Sequence, residues 1–366
     1  MSHNSRIYLD VHVLQTVPAS CLNRDDTGSP KTAVYGGVTR SRVSSQCWKR
    51  AMRLMFRELI SQEKLGVRTK RIVDMVAEEI QRLQPTQDSQ SAAKKILEAA
   101  GLKIKSVETG TDALFFLSRS QAGALAKLVV DEPDIVNGNP TKTDKEKASH
   151  ALAESPAIDV ALFGRMVADA PSLNTDACAQ VAHSLSTHKV INEYDYFTAV
   201  DDLSSEDNAG AGHIGTIEFN SSTMYRYATV ALHQLVDQLA EDTVQASVEF
   251  VRAFVHSMPT GKQNTFANRT PPDAVLVTLR HDQPINLVGA FERPVPASED
   301  GYVLPSADRL VRHAHNVYQQ FAGEPELSLV AGDLLAELGE EKSLPELLDT
   351  LALVLPEHLS ASWNVI

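Results

Sequence analysis

Residues 21–57, CLNRDDTGSPKTAVYGGVTRSRVSSQCWKRAMRLMFR, change character halfway along. The first part is rich in Asp, Gly and Pro and reads as turns; from Ser44 onward apolar residues recur at helical spacing. Ser44 or Ser45 supplies an N-cap for a helix running to about Leu59. Lys49, Arg53 and Arg57 stand at i, i+4 and i+8 and share one face, flanked by Gln46 and Arg50. Cys47, Trp48, Ala51, Met52, Met55 and Leu59 form the opposite, apolar face. No acid occupies the capping-box position, which leaves first-turn N–H groups open to an anion.

Charge points the same way. Between Arg24 and Arg71 stand 12 Lys/Arg against the four acids Asp25, Asp26, Glu58 and Glu63, a local balance of +8 in a chain of net charge −13. Such segregation is the footprint expected of a polyanion site. Arg40 and Arg42 are expected to extend the positive surface onto the incoming loop. The plainer alternative is an ordinary solvated helix with a basic outer face. The acidic total argues against indiscriminate nucleic-acid binding but leaves room for a local basic groove.

At 366 residues and 43% hydrophobic content, the chain has material for one large or two ordinary domains with a sizeable core. No apolar run approaches the ~20 residues of a membrane span, and no signal peptide is read at the start. Cys21, Cys47 and Cys178 are widely spaced and form no CxxC, which suits a reducing, cytoplasmic setting.

Outward from the opening stretch, Arg6–Leu14 alternates as a strand does, and Asn23–Gly37 reads as a loop. Asp25 and Asp26 are the first candidates for catalysis, since paired carboxylates hold metals or act as acid and base; adjacent turn acids more often pair with a neighbouring Arg. Gly36–Gly37 lacks the Lys-Ser/Thr of a phosphate-binding loop. Residues 70–130 read as helices, Glu132–Lys147 as a loop, and 148–187 as helix again, so 61–189 forms a helical insertion. Lys142, Lys145 and Lys147 alternate with Asp144 and Glu146, which favours a solvated loop. Residues 190–227 suggest a long β-hairpin around a flexible centre, Ser204–Gly212. Further on, Tyr225–Leu232 reads as strand, Leu235–His256 as one helix, Asp273–Arg280 and Pro284–Phe291 as strands, and Leu304–Phe321 and Leu344–Leu355 as helices. The 12 histidines form no metal motif, and no cofactor is expected. The pattern fits an α+β core with a helical insertion.

Eight collinear stretches resemble the CasC family, the RNA-binding backbone of the type I-E CRISPR Cascade surveillance complex. They are SCLNRDD (Ser20–Asp26), VYGGVTRSRVSSQCWKRAMR (Val34–Arg53), DVALFGRM (Asp159–Met166), AHSLSTHKV (Ala182–Val190), DYFTAVDDL (Asp195–Leu203), HIGTIEFNSSTMYRYA (His213–Ala228), GKQNTF (Gly261–Phe266) and NLVGAFERPV (Asn286–Val295). The match is weakest over 65–150 and after 320. The resemblance implies an RRM-like (ferredoxin-like) palm from 1–60 and 228–366, helical fingers over 61–189 and a β-hairpin thumb over 190–227. It also implies a non-catalytic subunit that oligomerises along guide RNA and presents it to target DNA, beside other Cascade subunits and away from membranes. By motif position, Arg24, Lys31, Ser44, Gln46, Lys49, Arg50, Arg53, Lys262 and Gln263 are implied to touch the RNA backbone. Met166, Phe197 and Thr198 are implied to intrude between bases, with His213–Ile214 nearby. The family's lysine-rich fingers helix is replaced or shifted here, which puts DNA attraction by Lys142, Lys145 and Lys147 in doubt. Two other readings stay open: a guide-directed ribonuclease using Asp25 or Asp26, and a scaffold or regulator without guide RNA.

Overall fold

A computed structural model describes residues 6–85, 88–154, 156–167, 170–199 and 213–363. The expected hairpin centre, Ser204–Gly212, lies outside the described residues. The chain divides into two compact units. The first comprises Met1–Met52, Val181–Thr229 and Phe250–Leu353; the second comprises Arg53–Gln180, Val230–Glu249 and Val354–Ile366. Strands and helices occur in both, and the fold is α+β.

The first unit is built on a sheet centred on β1 (Tyr8–Ser20). Its neighbours are His213–Ala231 on one side and, antiparallel, Ala274–Arg280 on the other, in register from Tyr8↔Arg280 to Leu14↔Ala274. Leu327–Ala331 and Glu340–Glu341 follow outward on the Ala274–Arg280 side. On the other side come Ser184–Ser186, β3 (Val38–Val43) and the edge strand β2 (Thr32–Tyr35). One face packs Leu14, Tyr225, Tyr227 and Leu276 against Leu287, Phe291, Leu310 and Ala314. Alternation along β1 would ordinarily leave a wet face. Here both faces are covered: Leu9, Val11 and Val13 are buried, and so are Asp10 and His12. Tyr227 Oη donates to Asp10 at 2.9 Å and Tyr225 Oη lies 2.8 Å from His12 Nδ1, while His12 Nε2 has no hydrogen-bond partner among the described residues.

The loop expected over Asn23–Gly37 contains β2, which forms a two-residue hairpin with β3. Gly36 and Gly37 have φ of 60° and 76°, the left-handed pair that a primed hairpin turn requires. Arg40 departs from the expected positive surface. It is fully buried, donating to the carbonyls of Tyr35, Ser186, Phe291 and Glu292.

The second unit is mainly helical. Helices α2 (Ile72–Leu83), α3 (Ser89–Ala99) and α4 (Arg119–Asp131) pack with Lys142–Ala153 around Val76, Ile80, Ile96, Leu125 and Leu152. Five local expectations are corrected. Residues 70–130, expected as helices, also hold the strands Ile104–Ser106, Gly110–Thr111 and Phe115–Ser118. The loop expected over Glu132–Lys147 holds a helical turn, Asp134–Asn137, and the start of Lys142–Ala153, nucleated by a Thr141/Asp144 capping box. The helix expected over 148–187 stops at Phe163, and Ala179–Val181 and Ser184–Ser186 are strands. The helix expected over Leu235–His256 is split at Ala240, whose φ of 44° no helix can carry. Pro284–Phe291 is not a strand: Asn286 accepts from the Val288 N–H and starts a 3-10 turn, Leu287–Phe291.

Candidate nucleic-acid interface

In the first unit, the expected RNA contacts gather around the start of α1 (Ser45–Leu59). Ser44 is its N-cap: the Ser44 Oγ accepts from the Cys47 N–H at 3.3 Å. The Ser44 N–H in turn donates to Asn23 Oδ1 at 2.9 Å, while the Lys31 N–H donates to Asn23 O at 2.8 Å. Asn23 therefore pins the Cys21–Lys31 loop to the helix start. Buried Trp48, Ala51, Met52 and Phe56 anchor the inner face of α1, whereas Gln46 and Arg50 are exposed and Lys49 is half-buried. Burial lowers the Lys49 ammonium from its usual range.

Two thiols mark where the cations converge. Burial raises Cys47, and the nearby charges of Arg50 and Lys31 act against that rise. Burial likewise raises Cys21; the charges of Arg24 and Lys262 oppose that rise, and those of Asp25 and Glu218 add to it. The thiols are linked through Leu22, whose carbonyl accepts from Cys47 Sγ at 3.9 Å. Arg24, Lys31, Arg50 and Lys262, scattered over the sequence, thus lie near the two thiols, with Asp25 and Glu218 close to Cys21. Beside them Arg42 Nη1 lies 3.0 Å from His183 Nδ1. Burial, then the charges of Arg42 and Lys31, lower that imidazole.

Lys262 and Gln263 sit where Gly261 closes on the same loop. A Cβ on Gly261 would fall 2.3 Å from the Leu22 carbonyl oxygen, so only glycine permits this approach. Lys262 itself has φ of 52° and Ala267 φ of 45°, two left-handed residues bracketing the turn Gln263–Phe266. Phe266 meets Phe219 at 5.6 Å between ring centroids, joining this turn to the hairpin.

The hairpin pairs Glu193–Ala199 with the start of His213–Ala231, in register from Glu193↔Phe219 to Ala199↔His213. The Phe197 ring lies over Gly215, where a Cβ would come within 2.4 Å of it. Phe197 is 37% exposed and Thr198 is exposed. The reading by motif passed over Tyr194 and Tyr196, which are 67% and 62% exposed on the opposite side of the same strand. Their i, i+2 spacing was the signal available in the sequence.

Two expected residues belong to the second unit. Arg53 turns onto Asp159 at 3.4 Å and over the Phe116 ring at 4.5 Å. Its side chain is 17% exposed. Met166 is 84% exposed. The loop behind it is fixed: buried Arg165 donates to the carbonyls of Phe116, Leu152 and Leu173, and the Val167 N–H donates to Asn174. Of the three lysines in the charged segment, Lys147 pairs with Glu132 and Lys142 with Glu146.

Asp25 faces its own loop. Its Oδ1 accepts from Thr27 N, Thr27 Oγ1 and Ser29 N at 2.9, 2.7 and 3.0 Å, bonds that hold the carboxyl below its usual range. Thr27 and Ser29, not Arg24, are the partners of that oxygen.

A family model described as CT1975-like protein matches residues 9–351. A solved chain from a "CRISPR RNA-guided surveillance complex, pre-nicking" shares 34% identity, with 95% of this chain and 99% of that one covered, at a TM-score of 0.80. A second, from a "CRISPR RNA-guided surveillance complex", shares 31% identity over 95% and 99%, at a TM-score of 0.62. No curated protein matches. With nearly the whole chain matched, this protein is a CasC-like member of the CT1975-like family.

Proposed function

We propose that the chain is a non-catalytic backbone subunit of Cascade: copies line up along a CRISPR guide RNA, grip its phosphates and present its bases to target DNA in the cytoplasm. The observation that carries this reading is the convergence of Arg24, Lys31, Arg50 and Lys262 around the two linked thiols, in a chain whose net charge is −13. Cations and a capped helix start recognise phosphate without reading sequence, which is what a subunit serving any spacer needs. In this reading the first unit supplies an RRM-like palm and a hairpin thumb, and the second supplies the fingers. Phe197 and Thr198 on the hairpin and Met166 on its anchored loop act as wedges between bases. The surveillance-complex membership of the two solved relatives supports the Cascade role. No described helix is long and apolar enough to cross a membrane.

The test is filter binding of a labelled single-stranded RNA over a range of salt. Lys49→Glu with Arg50→Glu should leave circular dichroism unchanged and weaken binding. The slope of log affinity against log salt should shrink by roughly 0.7 for each phosphate no longer neutralised. Unchanged affinity and slope would remove α1 from the RNA site. The ribonuclease alternative is checked with labelled complementary RNA and Mg²⁺. Regularly spaced cleavage that disappears in Asp25→Asn or Asp26→Asn would overturn the scaffold reading.

A further inference from the structure

Arg226 is 1% exposed, and among the described residues no carboxylate is one of its partners. Its guanidinium lies 3.8 Å from the centroid of the Trp48 ring and 4.6 Å from that of Phe254. Nη1 donates to Gln15 Oε1 at 2.6 Å, Nη2 donates to the Phe254 carbonyl, and Nε has no hydrogen-bond partner among the described residues. A charge so placed has given up its hydration for aromatic faces, one amide oxygen and a carbonyl in the last turn of Thr243–His256. An apolar side chain of the same volume would often be no less stable there. What an apolar side chain cannot do is hold several elements in one fixed orientation through a planar fork.

Each partner leads to the candidate interface. Trp48 immediately precedes Lys49 and Arg50 on α1, and its indole N–H is fixed on Ser184 Oγ at 2.8 Å. Phe254 lies just before the segment 257–269 that carries Lys262 and Gln263. Gln15, held by Arg226, donates from Nε2 to the Thr270 carbonyl at 2.8 Å, just after that segment. The segment contains two of the three non-glycine residues with positive φ among those described. Such conformations persist only where the surroundings over-determine them.

We propose, resting on the guide-RNA reading above, that Arg226 is a positioning residue. From the interior of the first unit it locks the Lys49–Arg50 turn of α1 to both ends of the segment that presents Lys262 and Gln263. Two separately encoded groups of phosphate-binding residues are thereby held at one spacing.

The test uses the full chain and three variants: Arg226→Met, Arg226→Lys, and the milder Gln15→Ala, which cuts the Arg226–Gln15–Thr270 link and leaves the guanidinium on Trp48 and Phe254. Hydrogen exchange should accelerate over residues 257–269 in all three, with β1 and Ala274–Arg280 still protected. Affinity for a labelled single-stranded RNA should fall about tenfold in Arg226→Met, as the loosened segment lets go of its phosphates. Lys262→Ala should weaken the wild type but add little in the Arg226→Met background, the non-additivity expected of residues acting as one unit. Arg226→Lys keeps the charge without the fork and should behave like Arg226→Met. Full rescue by lysine, additive effects, or unchanged exchange over 257–269 would each overturn the proposal. If Arg226→Met does not fold, the other two variants carry the same comparison. A wild-type chain that binds no RNA would sink the guide-RNA reading instead, and the exchange experiment would still decide whether Arg226 holds the segment.

Discussion

Arg50 and Arg53 follow one another around α1, yet their guanidinium groups meet different surroundings. Arg50 is exposed, whereas Arg53 neutralises Asp159, a carboxylate that burial raises and that also accepts from the Gly66 N–H at 2.8 Å. Arg53→Ala is therefore expected to cost roughly 1–3 kcal/mol in urea unfolding, because it strands a buried acid. Arg50→Ala should stay within about 0.5 kcal/mol of wild type. Helical spacing places both on the basic side of α1, but it says nothing about an acid in a distant segment. A second prediction concerns His12, which is fully buried, its pKa lowered by burial to about 3. A folded pKa below the unfolded one means that the unfolded chain takes up the proton first. Stability is therefore lost as pH falls below about 6.5, at up to roughly 1.4 kcal/mol per pH unit. His12→Phe, which leaves the Tyr225 hydroxyl short of one partner, should be less stable at pH 7 by about 1–3 kcal/mol. The gap should narrow as pH is lowered toward 5; parallel stability curves would contradict the assignment. Asp10 acts in the opposite sense: burial raises it to about 6, so its protonation favours the fold as pH falls through that value, and it is present in both proteins of this comparison.

At the scale of elements, the β2–β3 hairpin offers a paired test. Gly36 and Gly37 are both left-handed, but a Cβ on Gly36 would lie 1.6 Å from the Glu292 carbonyl oxygen, while one on Gly37 meets nothing within 4 Å. Gly37→Ala should cost only the strain of the conformation, about 1–2 kcal/mol. Gly36→Ala should cost roughly 2–4 kcal/mol by chemical denaturation, since it must also separate the hairpin from the Glu292 backbone. The contrast shows what was legible beforehand. The strands Arg6–Leu14, Tyr225–Leu232 and Asp273–Arg280, and the long helices, announced themselves by periodicity. The Thr141/Asp144 capping box was equally readable, yet the surrounding Asn, Pro and Gly suggested a loop. Two features were not readable. Arg40 looks like any surface cation until Phe291 and Glu292 close over it, and Arg226 until Trp48 and Phe254 do. The candidate interface was legible as a set of charges from family motifs. Its closeness in space, with Gly261 against the Cys21–Leu22 backbone, depends on packing between segments separated by more than half of the chain.

Across the whole molecule, charge is sorted into blocks. The Arg24–Arg71 segment carries +8, whereas between Val190 and Tyr225 the acids Glu193, Asp195, Asp201, Asp202, Glu206, Asp207 and Glu218 meet no Lys or Arg. A stretch of that composition repels phosphate and is ill suited to gripping a nucleic-acid backbone. Replacing Thr198–Gly215 with a short Gly/Ser linker should leave the circular-dichroism melt of the chain unchanged and shorten its assemblies on RNA in electron micrographs. Full-length assemblies would remove the hairpin from the joints between copies.

The register of β1 also has a consequence for the chain's birth. Tyr8 to Leu14 pair with Arg280 to Ala274, and Arg40 is closed in by carbonyls at 291 and 292. At ~5–20 residues per second of synthesis, the central strand waits on the order of tens of seconds for its antiparallel neighbour. Through that interval the emerging chain already displays the cations of α1, while Lys262 and the carbonyls that close over Arg40 are still unmade. A ribosome paused before residue 260 would therefore carry an incomplete version of the candidate interface, and on the proposed guide-RNA reading commitment to a guide would come at the end of translation.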